Sequence, residues 1–303
     1  MNQPRRREFL KLSGGALVSL AGLALGSGSV ARAVSPEQGE ESSKKEPKMR
    51  IGLVTYNLAK DWDLETVIKN CEEAKFEGVE LRSTHAHGVE VDLTAGQRAE
   101  VKRRFEDSPV TLCQLGSAFE FHSRSPERVR RNIEGTKQYV KLAHDVGAPG
   151  IKVRPNGLQT QYGVPVEKTL EQIGVSLREC GEFAKDYGVQ IRLEVHGTGT
   201  SRLDYIETIM EAAGHDNVYV NWNSNQTDLE FGTLEENFAR VQNKIAHVHM
   251  RDLFIENYPW GKLLGLLRGI GYAGFCCAEI PESSDPIRVM RYYRALFLAY
   301  QEQ

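Results

Sequence analysis

Short apolar runs alternate with helical patterns along most of the chain. Between Asp63 and Phe76, for example, apolar residues recur every three or four positions, the spacing of an amphipathic helix. The same reasoning predicts eight strands, at Arg50–Thr55, Gly78–Arg82, Val110–Leu115, Gly150–Arg154, Val189–Val195, Val218–Asn223, Lys244–His249 and Gly274–Ile280. Eight helices are predicted between and after them, at Asp63–Phe76, Thr94–Phe105, Ser125–Val146, Val166–Tyr187, Asp204–Ala213, Leu234–Val241, Trp260–Ile270 and Pro286–Tyr300.

Eight strand–helix units in about 250 residues have the size and rhythm of a single-domain α/β barrel, the (β/α)8 or TIM barrel. A doubly wound open sheet is the alternative. The loop after the first strand argues against it, because Thr55–Lys60 contains no glycine and therefore no phosphate-binding turn.

The first 48 residues do not follow this pattern. Arg6 and Arg7 precede a Gly/Ala-rich apolar run, and Ala31-Arg32-Ala33 is typical of a cleavage site. The stretch Arg6–Lys11 resembles a twin-arginine export signal, which implies a signal peptide over residues 1–33 and a periplasmic or otherwise exported mature protein. An uncleaved anchor or basic amphipathic helix is the alternative, although the run is short and weak for a membrane span. Residues 34–48 are polar and predict a disordered linker, which leaves 49–303 for the barrel.

Composition narrows the choice of partners. The chain has 303 residues, a formal net charge of −3, 40% hydrophobic and 26% charged residues, which suits a globular protein with a large core. This balance provides no general attraction to nucleic acid or to an anionic membrane, so we expect a small-molecule partner. The five cysteines are odd in number and lack framework spacing, so they are predicted to stay free.

Polar residues at the strand ends predict a site. The carboxyl ends of barrel strands open on one face, so residues from the fifth to the eighth strand should converge there. These residues are Glu194, Asn223, His249 and Glu279. Two carboxylates, an amide and an imidazole can hold a divalent cation such as Mn²⁺, Mg²⁺, Zn²⁺ or Co²⁺. His247 alternates with His249 but lies one layer deeper, where a structural role is expected.

Several segments together resemble one family. They are Gly78–Leu81, Leu193–His196, His247–Asp252 and Gly271–Pro281. The chain from Met49 resembles the xylose isomerase-like barrels, which include sugar phosphate isomerases and epimerases, the ketose 3-epimerases and endonuclease IV. The resemblance implies that Glu194, His249 and Glu279 are metal ligands, and that Glu194 and Glu279 also act as acid/base groups on opposite faces of the substrate.

Departures from the family pattern bear on the reaction. Asn223 and Gln226 stand where the family usually has an aspartate ligand and a histidine, and Thr200 and Ile255 replace other polar positions of the ketose epimerases. Asn223 can coordinate through its carbonyl oxygen, although it is neutral and a weaker donor, or it can bind substrate by hydrogen bonds. The substrate is therefore not expected to be an ordinary free ketohexose.

Further residues are candidates for substrate binding. They are Lys152, Arg154, His196, His85, Glu120 and Trp260. One of Lys152 and Arg154 is expected to face the lumen, either in an ion pair with Glu194 or Glu120 or as a substrate ligand. His85 and His87 form either a polar loop or a substrate or second metal site. Trp260 either stacks on a sugar or starts the following helix.

These observations predict an exported, metal-dependent isomerase or epimerase acting on a carbohydrate through an enediolate. A keto-glycoside lyase using the same intermediate, and a non-catalytic sugar-binding barrel, remain alternatives. An endonuclease IV-like activity is disfavoured because an acidic protein without a basic groove suits DNA poorly. Neither the oligomeric state nor the particular sugar and metal follows from the sequence.

Overall fold

A computed structural model describes residues 48–302, which form a closed barrel of eight parallel strands in sequence order. The strands are β1 (Arg50–Val54), β2 (Gly78–Arg82), β3 (Thr111–Glu120), β4 (Gly150–Arg154), β5 (Gln190–Glu194), β6 (Val218–Asn223), β7 (Ile245–Met250) and β8 (Phe275–Ala278). The helices are α1 (Leu64–Ala74), α2 (Ala95–Glu106), α3 (Pro126–Val146), α4 (Val166–Lys185), α5 (Leu203–Ala213), α6 (Leu234–Val241), α7 (Trp260–Gly269) and α8 (Pro286–Gln301). Short 3₁₀ turns lie at Thr160–Tyr162, Gln226–Leu229 and Gln242–Lys244. The predicted fold class is confirmed, and the open-sheet alternative is wrong.

Pairing between the first and last strands closes the barrel. Arg50 aligns with Phe275 and Leu53 with Ala278, so β1 has β2 on one side and β8 on the other. All neighbouring strands are parallel, and their carboxyl ends therefore meet at one mouth. Side chains that point outward pack under the helices, whereas those that point inward fill the lumen.

Two strands differ most from the sequence-based prediction. β3 continues to Glu120, five residues beyond the predicted end, with an irregularity in its pairing to β4 between Gly116 and Glu120. Its second half, Gly116–Glu120, is rich in small and polar residues and therefore lacks the apolar signal of a strand. β8 is shorter than predicted, and Glu279 lies just beyond its end with its backbone N–H donating to Met250.

Local sequence explains where the helices begin and end. The Asp63 and Ser125 side chains accept hydrogen bonds from backbone N–H groups in the first turns of α1 and α3. Pro126 starts α3, where its missing N–H costs nothing. Gly147 ends the same helix at φ 83°, a left-handed conformation that glycine adopts without strain.

Two helical glycines should respond to alanine in opposite ways. A Cβ on Gly174 of α4 would lie 2.5 Å from Ala212 Cβ and 2.8 Å from the Ile209 carbonyl, so Gly174→Ala should lower the free energy of unfolding by about 1–3 kcal/mol. On Gly265 of α7 the nearest atom would be the end of the Arg268 side chain at 3.9 Å, and alanine there should raise the free energy of unfolding by about 0.5–1 kcal/mol. Urea unfolding of both variants measures this difference, and equal effects would contradict it.

The cysteines are buried and free, as predicted. Cys113 and Cys277 face each other across the lumen with their Sγ atoms 3.6 Å apart. Burial raises the pKa of the Cys71, Cys180 and Cys276 thiols, which keeps them protonated and unreactive.

Within residues 48–302, no helix has the length and apolar character needed to cross a membrane. The predicted signal peptide and nearly all of the linker lie outside the described residues.

Candidate active site

His249 lies at the centre of the mouth. It is the penultimate residue of β7, points into the barrel and is fully buried. Its Nε2 atom lies 2.6 Å from Glu80 Oε2, and its Nδ1 atom lies 3.2 Å from Glu194 Oε1. Glu279 Oε2 is 3.8 Å from the same Nδ1 atom. Strands β2 and β5 and the residue that follows β8 therefore place three carboxylates around one imidazole.

Glu194 is held from two further sides. Lys152 on β4 donates a 2.9 Å hydrogen bond from Nζ to Glu194 Oε2, and both side chains are almost completely buried. The side-chain amide of Asn223 on β6 lies 3.5 Å from the other carboxylate oxygen, Oε1. Lys152 thus faces the lumen and forms the ion pair that was one of its two predicted roles.

Glu194, His249 and Glu279 can serve as metal ligands. Each offers one donor atom, and the three atoms lie within 4.8 Å of one another. Glu194 can use Oε1, because Lys152 occupies only Oε2. Two carboxylates and one imidazole suit a divalent cation of the Mn²⁺ or Zn²⁺ type, and the adjacent Asn223 amide can add a neutral oxygen. The donor set therefore fits a metal ion.

The charges of the site depend on this crowding. Burial raises the pKa of Glu279, and the neighbouring Glu194 carboxylate raises it further. Burial opposes ionisation of Glu194 as well, but Lys152 and His249 prevail and lower its pKa. Burial alone would lower the pKa of His249, but the Glu80 and Glu194 carboxylates outweigh burial and raise the pKa to about 10. Without a cation the imidazole is therefore protonated, so that metal binding would release a proton.

A hydrogen-bond network below the site supports His249 and was largely missed by sequence reasoning. Glu80 accepts from Gln114 Nε2, which also donates to Asn221 Oδ1 at 2.8 Å. Arg192 Nη1 donates to Gln114 Oε1 at 3.0 Å, and His247 Nε2 lies 3.4 Å from Glu80 Oε2. Polar residues at inward positions of apolar strands were the available signal. His247 has the deeper, structural placement that was expected.

Three of the predicted substrate-binding residues lie together beside the centre. His196 Nδ1 is 2.9 Å from Asn156 Oδ1, and Asn156 Nδ2 donates to Glu120. Arg154 Nη2 lies 3.7 Å from Glu120 Oε2. Asn156 was not predicted as a site residue. Its φ of 64° is a left-handed conformation that asparagine tolerates, and it turns the chain away after β4.

His85 and Trp260 are placed apart from this group. His85 lies above β1, with Nδ1 3.1 Å from Thr55 Oγ1 and its ring stacked against Tyr56. Burial lowers the pKa of His85 to about 4. Trp260 is only 2% exposed, its ring packs on Tyr258 and its Nε1 donates to the Ile255 carbonyl. A buried ring cannot stack on a sugar, so the prediction of Trp260 as a substrate ligand is wrong. Trp260 has its alternative predicted role, at the start of α7.

The positions that depart from the family pattern are not equivalent. Asn223 points into the lumen next to Glu194, whereas Gln226 is exposed on the 3₁₀ turn after β6. Thr200 is buried, and its hydroxyl donates to the His196 carbonyl, so that its proton is not available to a substrate. Ile255 packs against the core.

The fold and this set of residues define a (β/α)8 barrel with a potential metal-binding site at its mouth. The sequence profile of the xylose isomerase-like TIM barrels matches residues 68–296. The chain belongs to the xylose isomerase-like TIM barrel family. No protein of curated function matches it in sequence.

Solved structures share the whole barrel at low identity. L-ribulose 3-epimerase is 19% identical with a TM-score of 0.71, over 84% of this chain and 95% of the other. The 3-keto-D-glucoside 4-epimerase of E. coli is 18% identical with a TM-score of 0.69, over 83% of this chain and 100% of the other. The IolI protein, solved with a bound zinc atom, is 16% identical with a TM-score of 0.69, over 83% of this chain and 99% of the other. At these identities the likeness establishes the fold.

Proposed function

We propose that the protein is a metal-dependent sugar isomerase or epimerase that acts next to a carbonyl group. The observation that carries the proposal is the convergence of Glu194, His249 and Glu279 at the barrel mouth, with their donor atoms within 4.8 Å. Sugar epimerases among the similar structures support the substrate class. The zinc atom in the IolI structure supports a divalent metal ion at this site.

The residues have separate roles in such a reaction. A bound divalent ion would polarise the substrate carbonyl and stabilise negative charge on its oxygen. One of the carboxylates, Glu194 or Glu279, removes the proton from the adjacent carbon, and the electron pair of that C–H bond forms the enediolate. The other carboxylate returns a proton on the opposite face for epimerisation, or at the next carbon for isomerisation. Lys152 neutralises and orients Glu194.

Exchange of the substrate C–H for deuterium tests this function. The purified chain, incubated in D₂O with a panel of ketoses and keto-glycosides, is expected to exchange the hydrogen next to the carbonyl. A chelator should abolish the exchange, and Mn²⁺, Zn²⁺ or Co²⁺ should restore it. Exchange that persists after complete metal removal would contradict the metal requirement, and no exchange with any of these sugars would contradict the function.

Asn223 favours a second candidate. A neutral amide is a weaker donor than the aspartate expected from the family resemblance, so the barrel could bind a sugar without turning it over. Sugar binding without exchange would support this candidate. A lyase that expels a β-substituent from the same enediolate is distinguished by release of the leaving group.

The proposal includes export by the twin-arginine route, on the evidence of Arg6, Arg7 and the Ala31-Arg32-Ala33 site. Mass spectrometry of the protein from the source cells should find a new amino terminus after Ala33. A protein that retains Met1 in the cytoplasm would contradict export.

A further inference from the structure

A polar cleft lies on the β3, β4 and β5 side of the barrel mouth. It consists of two neighbouring cavities of about 340 and 400 Å³, formed by the loops that follow these strands. His122, Gln159 and Gln161 line both cavities, which are therefore adjacent. None of these side chains has a role in the proposed proton transfer.

Basic side chains lie around the first cavity. Arg124 and Arg128 line it, and Arg154 shares Glu120 with Arg128. Among the described residues, Arg128 and Arg154 form their ion pairs with Glu120, at 3.3 Å and 3.7 Å, and Arg124 forms none. Two guanidinium groups around one carboxylate, with Arg124 on the wall of the same cavity, leave a local excess of positive charge in a chain whose net charge is −3.

Two buried nitrogen atoms next to the cleft lack hydrogen-bond partners. They are His122 Nδ1 and Arg154 Nε. A buried guanidinium N–H without an acceptor is costly, and an incoming anionic oxygen would satisfy it. Arg124 is already ordered over the ring of Tyr162, at 4.4 Å from the ring centre. The Arg154 Nε–H group is therefore a donor without an acceptor next to the cleft.

Hydrogen bonds connect the cleft with the central site. Glu120 accepts from Asn156, and Asn156 contacts His196, which lies two residues beyond Glu194. Gly157, next to Asn156, lines the second cavity beside His122, and a Cβ added to this glycine would lie 3.6 Å from the imidazole. A substrate bound at Glu194 and extending past His196 and Asn156 would therefore reach the second cavity, which Asn156 lines.

We propose that this cleft binds an anionic group, a carboxylate or a phosphate, carried by the sugar substrate away from its reacting carbon. The inference rests on the proposed function, because it places the reacting carbon at Glu194 and Glu279. It defines the substrate as an acidic sugar derivative. The arginines supply charge-assisted hydrogen bonds to the anion, and Glu120 keeps Arg128 and Arg154 in place.

Calorimetric binding of three probes to the purified chain tests the inference. D-glucuronate and D-glucose 6-phosphate should bind at least roughly tenfold more tightly than D-glucose at low ionic strength, since each charged hydrogen bond contributes about 1.5–3 kcal/mol. High salt should reduce this preference. Preference for the first acid identifies a carboxylate ligand, and preference for the second identifies a phosphate. Equal binding of all three probes would overturn the proposal.

Substitutions locate the binding site. The double variant Arg124→Gln/Arg128→Gln should lower the affinity for the preferred acid to that for D-glucose, with D-glucose itself unaffected. Arg130→Gln is the matched control, because Arg130 lies on α3 as Arg128 does but pairs with Glu134 and Glu179 on the barrel exterior. The substituted side chains are largely exposed, and an unchanged melting temperature verifies folding. Acid binding that survives in the double variant would overturn the inference.

These measurements separate the inference from the proposed function. Selective binding of acidic sugars without any C–H exchange would retain the cleft as an anion site and remove the enzymatic proposal. Exchange on neutral keto-sugars without preference for acids would retain the enzyme and remove the anion site.

Discussion

Glu279→Gln is expected to lower C–H exchange roughly 10²- to 10⁴-fold while the barrel remains folded. Glutamine has nearly the same shape but cannot accept and return a proton at the substrate carbon. Glu279 lies just beyond β8, and its side chain is about one-fifth exposed, enough for contact with substrate. Its backbone N–H is fixed to Met250, so the substitution does not release the loop. Exchange is measured in D₂O by loss of the substrate proton signal.

Glu282→Gln is the matched control for this prediction. Glu282 follows β8 by a few residues and pairs with Lys60 at the surface, away from His249. Its substitution should leave exchange unchanged. Full turnover in the Glu279 variant would falsify the acid/base role assigned to that residue.

Glu80→Ala is expected to lower the free energy of unfolding by about 3–5 kcal/mol. Glu80 is completely buried, and its Oε2 atom contacts His249 and accepts from Gln114. Alanine removes the buried counter-charge of His249, leaves the Gln114 donor with one partner fewer and creates a cavity in the lumen. A denaturant titration of the metal-free chain measures the loss without reference to activity.

Two further variants separate electrostatics from packing at this position. Glu80→Gln preserves the volume and removes only the charge, so it should cost less than Glu80→Ala. Glu77→Ala removes an exposed carboxylate just before the same strand and should change stability by less than about 0.5 kcal/mol. If Glu80→Ala were no more harmful than Glu77→Ala, the supporting role of Glu80 under His249 would be wrong.

The barrel itself could be predicted from the sequence because its signals are local. Each strand carries a short apolar run, and each helix repeats apolar residues every three or four positions, so that the order of elements follows without knowledge of tertiary contacts. The barrel geometry then brings strand ends together, and Glu194 and His249 meet as expected. Glu279 joins them because its backbone remains bonded to β7 beyond the end of β8.

The supporting network could not be predicted in the same way. Whether Gln114 bonds to Glu80, Asn221 or Arg192 depends on which strands face each other across the lumen, and linear periodicity carries no such information. Trp260 illustrates a different difficulty, in which one sequence pattern fits two structural roles. An aromatic residue at the start of a mouth loop suits both a sugar platform and a buried helix start, and only the packing against Tyr258 decides between them.

The pairing of β8 with β1 makes assembly of the site an all-or-none event. Until β8 is in place, both β1 and β7 have unpaired edges, and this joining of distant segments is a slow, entropically costly step. Glu279 follows β8 directly and reaches the mouth only when that step is complete. A nascent or truncated chain therefore lacks half of the acid/base pair, and catalysis at the mouth requires that the chain has finished folding.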